Sequence, residues 1–407
     1  MAFNNNIDYA AIFNRILDEK FYIMPRTLWM ENTNPGIDWT GGKEIKIPYM
    51  TMDGLGTMQG YKAPDGNLTL GYETKQLQWY RGRNFAIGRY DMDETNMTLT
   101  VGNALRVFLA QHVVPEVDRL RIAKLAQSAI GYGTGCITAQ ASSGITKDNI
   151  LGLLLDDIAK VQDKIGENEQ LYVQIGTQMK NLLQQSKEIT RYLNVRDFSI
   201  RSATMRIEAL NDQFLMGTPT SYMNSVLRVN DGRTAGQTIG GVTFTDLGPK
   251  VNWIISARPV ADAVARPQIT KVIDPDVNQE GEFWKIMFSI YHGMWTMDQK
   301  QDGVLVNMDT TLAALTVTSV AGTASGTTVI SAGAVDSDTA AHYVYKVGDA
   351  AQTVTFGTAL TVANGWAPLP ADGNITATNG KTITVALVAN GSLLPLASGT
   401  ATVVSAS

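Results

Sequence analysis

The first ninety residues carry more apolar side chains than any structure they could build alone would hide. Phe3, Phe13, Phe21, Trp29, Trp39, Trp79 and Phe85 all fall here, with many Tyr and Met. The longest regular pattern is a pair of extended arms on either side of APDGN (63–67). Ile45, Ile47 and Tyr49 alternate before this turn, and Leu68, Leu70 and Tyr72 after it. A two-stranded hairpin is at best marginally stable in water, so this one is expected to lie against something else. Pro48 cannot donate to a ladder, which predicts an edge strand. Leu77 and Trp79 fall on the opposite parity, which predicts a bulge or bend. Upstream, Tyr9, Ile12, Phe13, Ile16, Leu17 and Phe21 share one helical face over 9–21. A second copy of the same chain would be a suitable partner for this stretch.

Composition breaks sharply near residue 311. All 16 Met lie at or before Met308, and beyond residue 310 there is no Arg and no Glu. Short β-branched runs take over: LTVTSV (315–320), TTVIS (327–331), HYVYKV (342–347), QTVTF (352–356), NITAT (374–378), TITVALV (382–388) and TATVVS (400–405). This spacing predicts a small β-sandwich, with Tyr343, Tyr345 and Trp366 available to its core.

Between the hairpin and this seam, apolar residues from Val101 to Ala123 follow a helical period, predicting one long helix over about 98–129. Pro115 sits inside it and predicts a kink. His112 lies on the apolar face and is read as a packed core or interface residue. Helix and strand then alternate. A helix near 147–165 is expected to start at Thr146, followed by a buried strand LYVQIG (171–176) and a helix over 177–186. KVNWIISA (250–257) and EFWKIMFSIYHGMWTMD (282–298) read as strands that close the body.

Few residues suit chemistry. His112, His292 and His342 are far apart in sequence, and GYGTG (131–135) lacks the Lys-Ser/Thr of a phosphate loop. Asp91, Asp93 and Glu94, or Asp274 and Asp276, could bind a cation, but they read more simply as a helix start and a turn. Cys136 is the one cysteine, so no disulfide within the chain is possible, and it reads as a buried small hydrophobe. The expectation is no catalytic, cofactor-binding or metal residue. The net charge of −5 argues against a dedicated nucleic-acid reader. No apolar run reaches membrane-spanning length, and no secretion signal is read at MAFNNNIDYA.

Two segments carry a resemblance. VVPEVDRLRIAKLA (113–126), with Pro115, Glu116 and Asp118, resembles the spine-helix segment of tailed-bacteriophage major capsid proteins. Residues 250–306 resemble the closing segment of that family: a strand, a Pro-containing turn and an aromatic strand leading into Asp298, Lys300 and Gly303. The resemblance spans residues 1–310 and implies an α+β chain with the Hong Kong 97 type of capsid fold. Its parts would be an N-terminal arm (1–42), an extended β-hairpin loop (43–90) and a capsid core (91–310). Within that core would lie a spine helix at about 97–130, an axial α/β domain at about 145–260 and peripheral strands at about 261–310. The tail (311–407) resembles the immunoglobulin-like domains that some phages append to the outer capsid surface.

The resemblance implies a structural protein, not an enzyme. Such subunits assemble as hexamers and pentamers into an icosahedral head around double-stranded DNA held without sequence preference. The virion is then the expected location, with synthesis in the host bacterial cytoplasm. No charged helical segment precedes the arm, so a separate scaffolding protein is expected, together with a portal. The expected inter-subunit contacts are Phe13, Leu17, Phe21, Trp29, Leu70, Tyr72, Leu77 and Trp79. One rival is an encapsulin-like bacterial nanocompartment shell of the same fold, and another is a cell-surface adhesin with an immunoglobulin-like tail.

Overall fold

The computed structural model describes residues 25–31, 44–94, 100–187, 193–200, 203–210, 212–244, 248–265, 269–333 and 341–406. The expected helix over 9–21, with Phe13, Leu17 and Phe21, lies outside them. The chain divides into two compact units. The described part of the first consists of segments within 30–111 and 262–299, and that of the second of segments within 23–29, 112–261 and 300–407.

The first unit is built on the aromatic strand Phe283–Thr296, which pairs antiparallel with Trp79–Gly88 and with Ile269–Ile273. Alternation along it buries Ile286, Phe288 and Ile290. The Phe108 ring sits edge-on to Phe85 at 4.8 Å and to Phe288 at 5.4 Å, a favoured aromatic geometry. From this sheet springs the hairpin: β1 (Glu44–Met52) and β2 (Leu68–Gln76), antiparallel and in register from Glu44 opposite Gln76 to Met52 opposite Leu68. β3 (Trp79–Gly88) then belongs to the aromatic sheet, so the parity change at Leu77 and Trp79 is a bend between two sheets. APDGN is not the turn. The strands end at Met52 and Leu68, where Asp53 and Asn67 are linked by two hydrogen bonds (3.1 and 2.7 Å). The tip is Gln59–Lys62, whose backbones exchange hydrogen bonds of 3.0 and 3.2 Å around Gly60 at φ +64°.

The predicted long helix is three segments. A helix at Val101–Phe108, capped by the Thr100 hydroxyl, leads into a π-helical turn at Leu109–Val113 and then a helix at Val114–Tyr132. Pro115 stands in the first turn of the last segment, where its missing N–H costs least. The wide turn just before it accommodates the ring that a regular helix would clash with. His112 in that turn is exposed rather than packed in a core.

The second unit holds a seven-stranded mixed sheet. Its order is Ile137–Ala139, Val304–Met308, Val251–Ala257, Leu171–Gly176, Gln213–Thr218, Ala203–Leu210 and Leu193–Ile200. The three strands Val304–Met308, Val251–Ala257 and Leu171–Gly176 are buried at every position, as a strand covered on both faces must be. Helix Ile150–Ile165 buries Leu154, Ile158 and Val161. It begins later than Thr146: Asn149 turns back, its Oδ1 accepting the Thr146 N–H at 2.7 Å and its Nδ2 donating to Gly144 O at 2.8 Å.

A buried polar network crosses this sheet. Asp157 accepts from Trp253 Nε1, Asn307 Nδ2 and Thr138 Oγ1, each at 3.0 Å, and from Lys160 Nζ at 2.9 Å. Asn252 Nδ2 donates to Asn307 Oδ1 at 2.9 Å, and the Ser142 hydroxyl lies 2.8 Å from Asn252 Oδ1 and 2.6 Å from Asp309 Oδ2.

Asp309 opens the short connection into the tail. Burial works against its charge, but the hydrogen bonds of Ser142 and Thr311 outweigh it and hold the carboxyl below the ordinary range. The tail has a five-stranded and a three-stranded sheet, with Trp366 packed among Val344, Leu360, Ala386 and Val388. Tyr343 and Tyr345 are only half-buried. Five of the seven predicted runs become strands in place. QTVTF does not: Gln352 N–H is taken by the Thr384 hydroxyl (2.9 Å) instead of a ladder. The last strand is Pro395–Thr402 and ends within the predicted TATVVS run.

Candidate functional site

The β1–β2 register puts one parity of residues on each face of the hairpin. One face holds Pro48, Met50 and Met52 opposite Tyr72, Leu70 and Leu68. Met50, Met52, Leu68, Leu70 and Tyr72 are each between 53% and 68% exposed. Leu55, Met58 and Tyr61 in the loop beyond are exposed as well. Toward the base the same face turns polar, with Lys46 opposite Thr74 and Glu44 opposite Gln76. The result is a contiguous apolar surface at the far end of a two-stranded arm. Soluble proteins rarely leave such a surface uncovered.

The other face is held by the hairpin's own unit. Ile47 packs beside Leu77, Val264, Trp295 and Met297. Tyr49 lies across Gly71, in the space where a Cβ would have to go. Lys75 bridges Glu73 at 3.4 Å and Asp298 at 3.0 Å, so the Asp298 of the closing motif anchors the hairpin base. Gly303 of the same motif sits where a Cβ would come within 2.7 Å of Val260 Cγ2, which demands glycine.

The expected contact residues therefore separate. Leu70 and Tyr72 are on the open face. Trp79 is half-buried, its ring 5.3 Å from that of His292. Leu77 is not available to a neighbour. It is 5% exposed, tucked against Gly293, with its carbonyl accepting from Tyr291 Oη at 3.3 Å. Trp29 is not available either. It is 1% exposed and stacked on Tyr172 with ring centres 4.7 Å apart and planes 5° from parallel.

Asp118 explains why Trp29 stays home. Its carboxylate is buried and accepts the backbone N–H groups of Arg26 (2.8 Å) and Thr27 (3.2 Å) and the Thr27 hydroxyl (2.6 Å). Gln174 Nε2 donates to Arg26 O at 3.0 Å, and Arg121 reaches Thr27. Burial pushes the Asp118 carboxyl up, against the opposing pull of these hydrogen bonds and of Arg121. The Asp of the Pro-Glu-x-Asp motif is thus the clamp for a segment at Arg26–Thr27, within the stretch read as the arm.

Sequence reasoning missed the methionines of the open face. It chose Ile47 and Tyr49 as the apolar set of β1, but these oppose Glu73 and Gly71 on the held face. The available signal was Met at alternate positions 50 and 52 with a third at 58. Among the described residues no group of His, Cys, Asp or Glu is arranged to hold a metal ion. Asp91 accepts the Gly88 N–H at 3.1 Å, as a helix-start residue does, and Asp274 closes a turn onto Asp276 and Asn278.

No protein-family model matches the sequence, and no curated protein does. Solved structures do match. A capsid structure of the cyanophage P-SCSP1u aligns with a TM-score of 0.51 at 13% identity, covering 74% of this chain and 92% of that one. The head structure of Helicobacter pylori bacteriophage KHP40 aligns with a TM-score of 0.50 at 9% identity, covering 76% and 97%. At such identities the likeness is one of fold: this chain has the mixed α+β fold seen in phage capsid proteins.

Proposed function

We propose that this chain is the major capsid subunit of a tailed phage, with a Hong Kong 97 type body. In this reading copies assemble as hexamers and pentamers into an icosahedral head that encloses double-stranded DNA. The observation that carries it is the open face of the hairpin, on a chain whose fold matches capsid structures. That face is apolar, projects on two strands that are marginal alone, and is left uncovered by the described residues of its own subunit. Covering Met50, Met52, Leu68 or Leu70, each still 53–68% exposed, contributes roughly 1–2 kcal/mol per side chain. Contacts that close a ring must be heterologous, one patch meeting a different one, so the face is assigned to a neighbouring copy. Leu70 and Tyr72 are its anchors, with Trp79 at the rim. Phe13, Leu17 and Phe21 of the arm are proposed to make further contacts between copies.

The tail is assigned as an immunoglobulin-like domain on the outer surface, and a separate scaffolding protein and portal as assembly partners. The 1–310 body has 31 Lys+Arg against 34 Asp+Glu, so contact with the genome is general and not sequence-reading.

The test replaces Leu70 and Tyr72 together by Asp in the full-length chain, expressed with its scaffolding protein. The substitutions sit on exposed positions, so the subunit should fold as before. Sedimentation and electron microscopy should then find soluble subunits and no shells. Shells of normal size and yield would overturn the reading. Wild-type particles that carry protein cargo and no DNA would identify a nanocompartment instead.

A further inference from the structure

Exposure among the methionines is unevenly distributed. Met30, Met216, Met223, Met294, Met297 and Met308 are buried, whereas the exposed large-hydrophobic methionines of the described residues, Met50, Met52 and Met58, all sit on the hairpin. Met50 and Met52 are on the apolar face opposite Leu70 and Leu68, and Met58 is one residue before the tip. Thioethers are soft and adaptable, which suits a surface that must fit neighbours at slightly different angles. They are also the apolar side chains that peroxide converts to polar ones.

We propose that Met50, Met52 and Met58 form an oxidation-sensitive site that controls whether a free subunit can assemble. The inference rests on the hairpin face being an inter-copy contact. In the reaction hydrogen peroxide delivers one oxygen to the sulfur: its O–O bond breaks, an S–O bond forms, the sulfur loses two electrons and the remaining oxygen leaves as water. Each event places a strong hydrogen-bond acceptor on a face that must become dry. Oxidised subunits cannot seat the hairpin, and subunits already assembled are protected because the thioethers are covered. A thiol-dependent sulfoxide reductase reverses the block by returning two electrons and two protons and releasing the oxygen as water.

The experiment treats full-length unassembled subunits with limiting hydrogen peroxide, maps sulfoxides by peptide mass spectrometry and then starts assembly. Sulfoxide should form at Met50, Met52 and Met58 about tenfold or more faster than at Met30, Met216 and Met308. Oxidised wild type should fail to form shells and recover after reductase treatment. The Met50→Leu/Met52→Leu/Met58→Leu variant keeps volume and apolarity, and it should assemble equally with and without peroxide. If that variant is blocked by peroxide as strongly as wild type, or if oxidised wild type assembles in full, the oxidation site is overturned. The interface reading is scored separately by footprinting intact wild-type shells. Protection of the three methionines there upholds it, and oxidation at the free-subunit rate overturns both claims.

Discussion

Asp118 is the residue on which the most depends. It satisfies two backbone donors and a hydroxyl of a segment 91 positions away in sequence, at a buried site. Asp118→Ala should lower subunit stability by about 2–4 kcal/mol, since buried donors left unmet cost roughly 1–3 kcal/mol each. Chemical denaturation of the unassembled subunit reads this, and a loss under 0.5 kcal/mol would contradict it. The pH dependence has a definite sign. Because burial raises this carboxyl in the folded state, its contribution is fully present below the ordinary Asp range and is lost as pH rises through the raised value. The stability gap between wild type and Asp118→Asn should therefore be widest at the acid end and narrow toward neutrality. The motif around Asp118 was legible in the sequence, but its partner was not. Nothing in the spacing of Pro115, Glu116 and Asp118 announces that the acceptor serves Arg26 and Thr27, because hydrogen bonds between distant segments leave no periodic trace.

At the scale of the element, the hairpin is two strands with one held face and one open face. Gly71 keeps the held face flat enough for the Tyr49 ring to lie across it. Gly71→Ala should eject that ring, loosen the ladder and raise amide exchange across 46–52 and 68–74, with little change in the sheet around Phe283–Thr296. Equal protection in variant and wild type would contradict it. Strand positions were readable from alternation, and so was the bend before Trp79. Which face would be covered was not, because period two gives two parities for each strand and only the register decides which of them meet. The turn was misplaced for a related reason: APDGN has strong turn chemistry, yet Asp53 and Asn67 close the ladder earlier and leave it in the loop. The kink at Pro115 was legible as a disturbance, but its form, a π turn upstream of the proline, was a matter of packing.

For the whole molecule, the composition seam falls inside one compact unit, which holds both the large sheet and the tail. The low-charge, β-branched tail has its own Trp366-centred core, and only residues 309–312 separate it from the last strand of the large sheet. A chain ending after Leu312 keeps Asp309 and its Ser142 and Thr311 hydrogen bonds. It should still form shells of wild-type diameter by electron microscopy. Loss of shells would mean that the tail serves assembly and is not an appended outer domain. Of the central sheet, LYVQIG and KVNWIISA were legible as strands, the former fully buried as expected; its other five strands were not, nor was the placing of Val251–Ala257 and Phe283–Thr296 in different sheets. The polar network linking Asp157, Asn307, Asn252 and Asp309 was invisible, since isolated Asn and Asp in strands carry no pattern until the strands are side by side. The central claim, that another copy of this chain covers the open hairpin face, is tested most directly by a cryo-electron-microscopy reconstruction of assembled particles at side-chain resolution. The account predicts that Met50, Leu70 and Tyr72 lie within van der Waals contact of an adjacent subunit at every position in the shell. A reconstruction in which these side chains face solvent would contradict it.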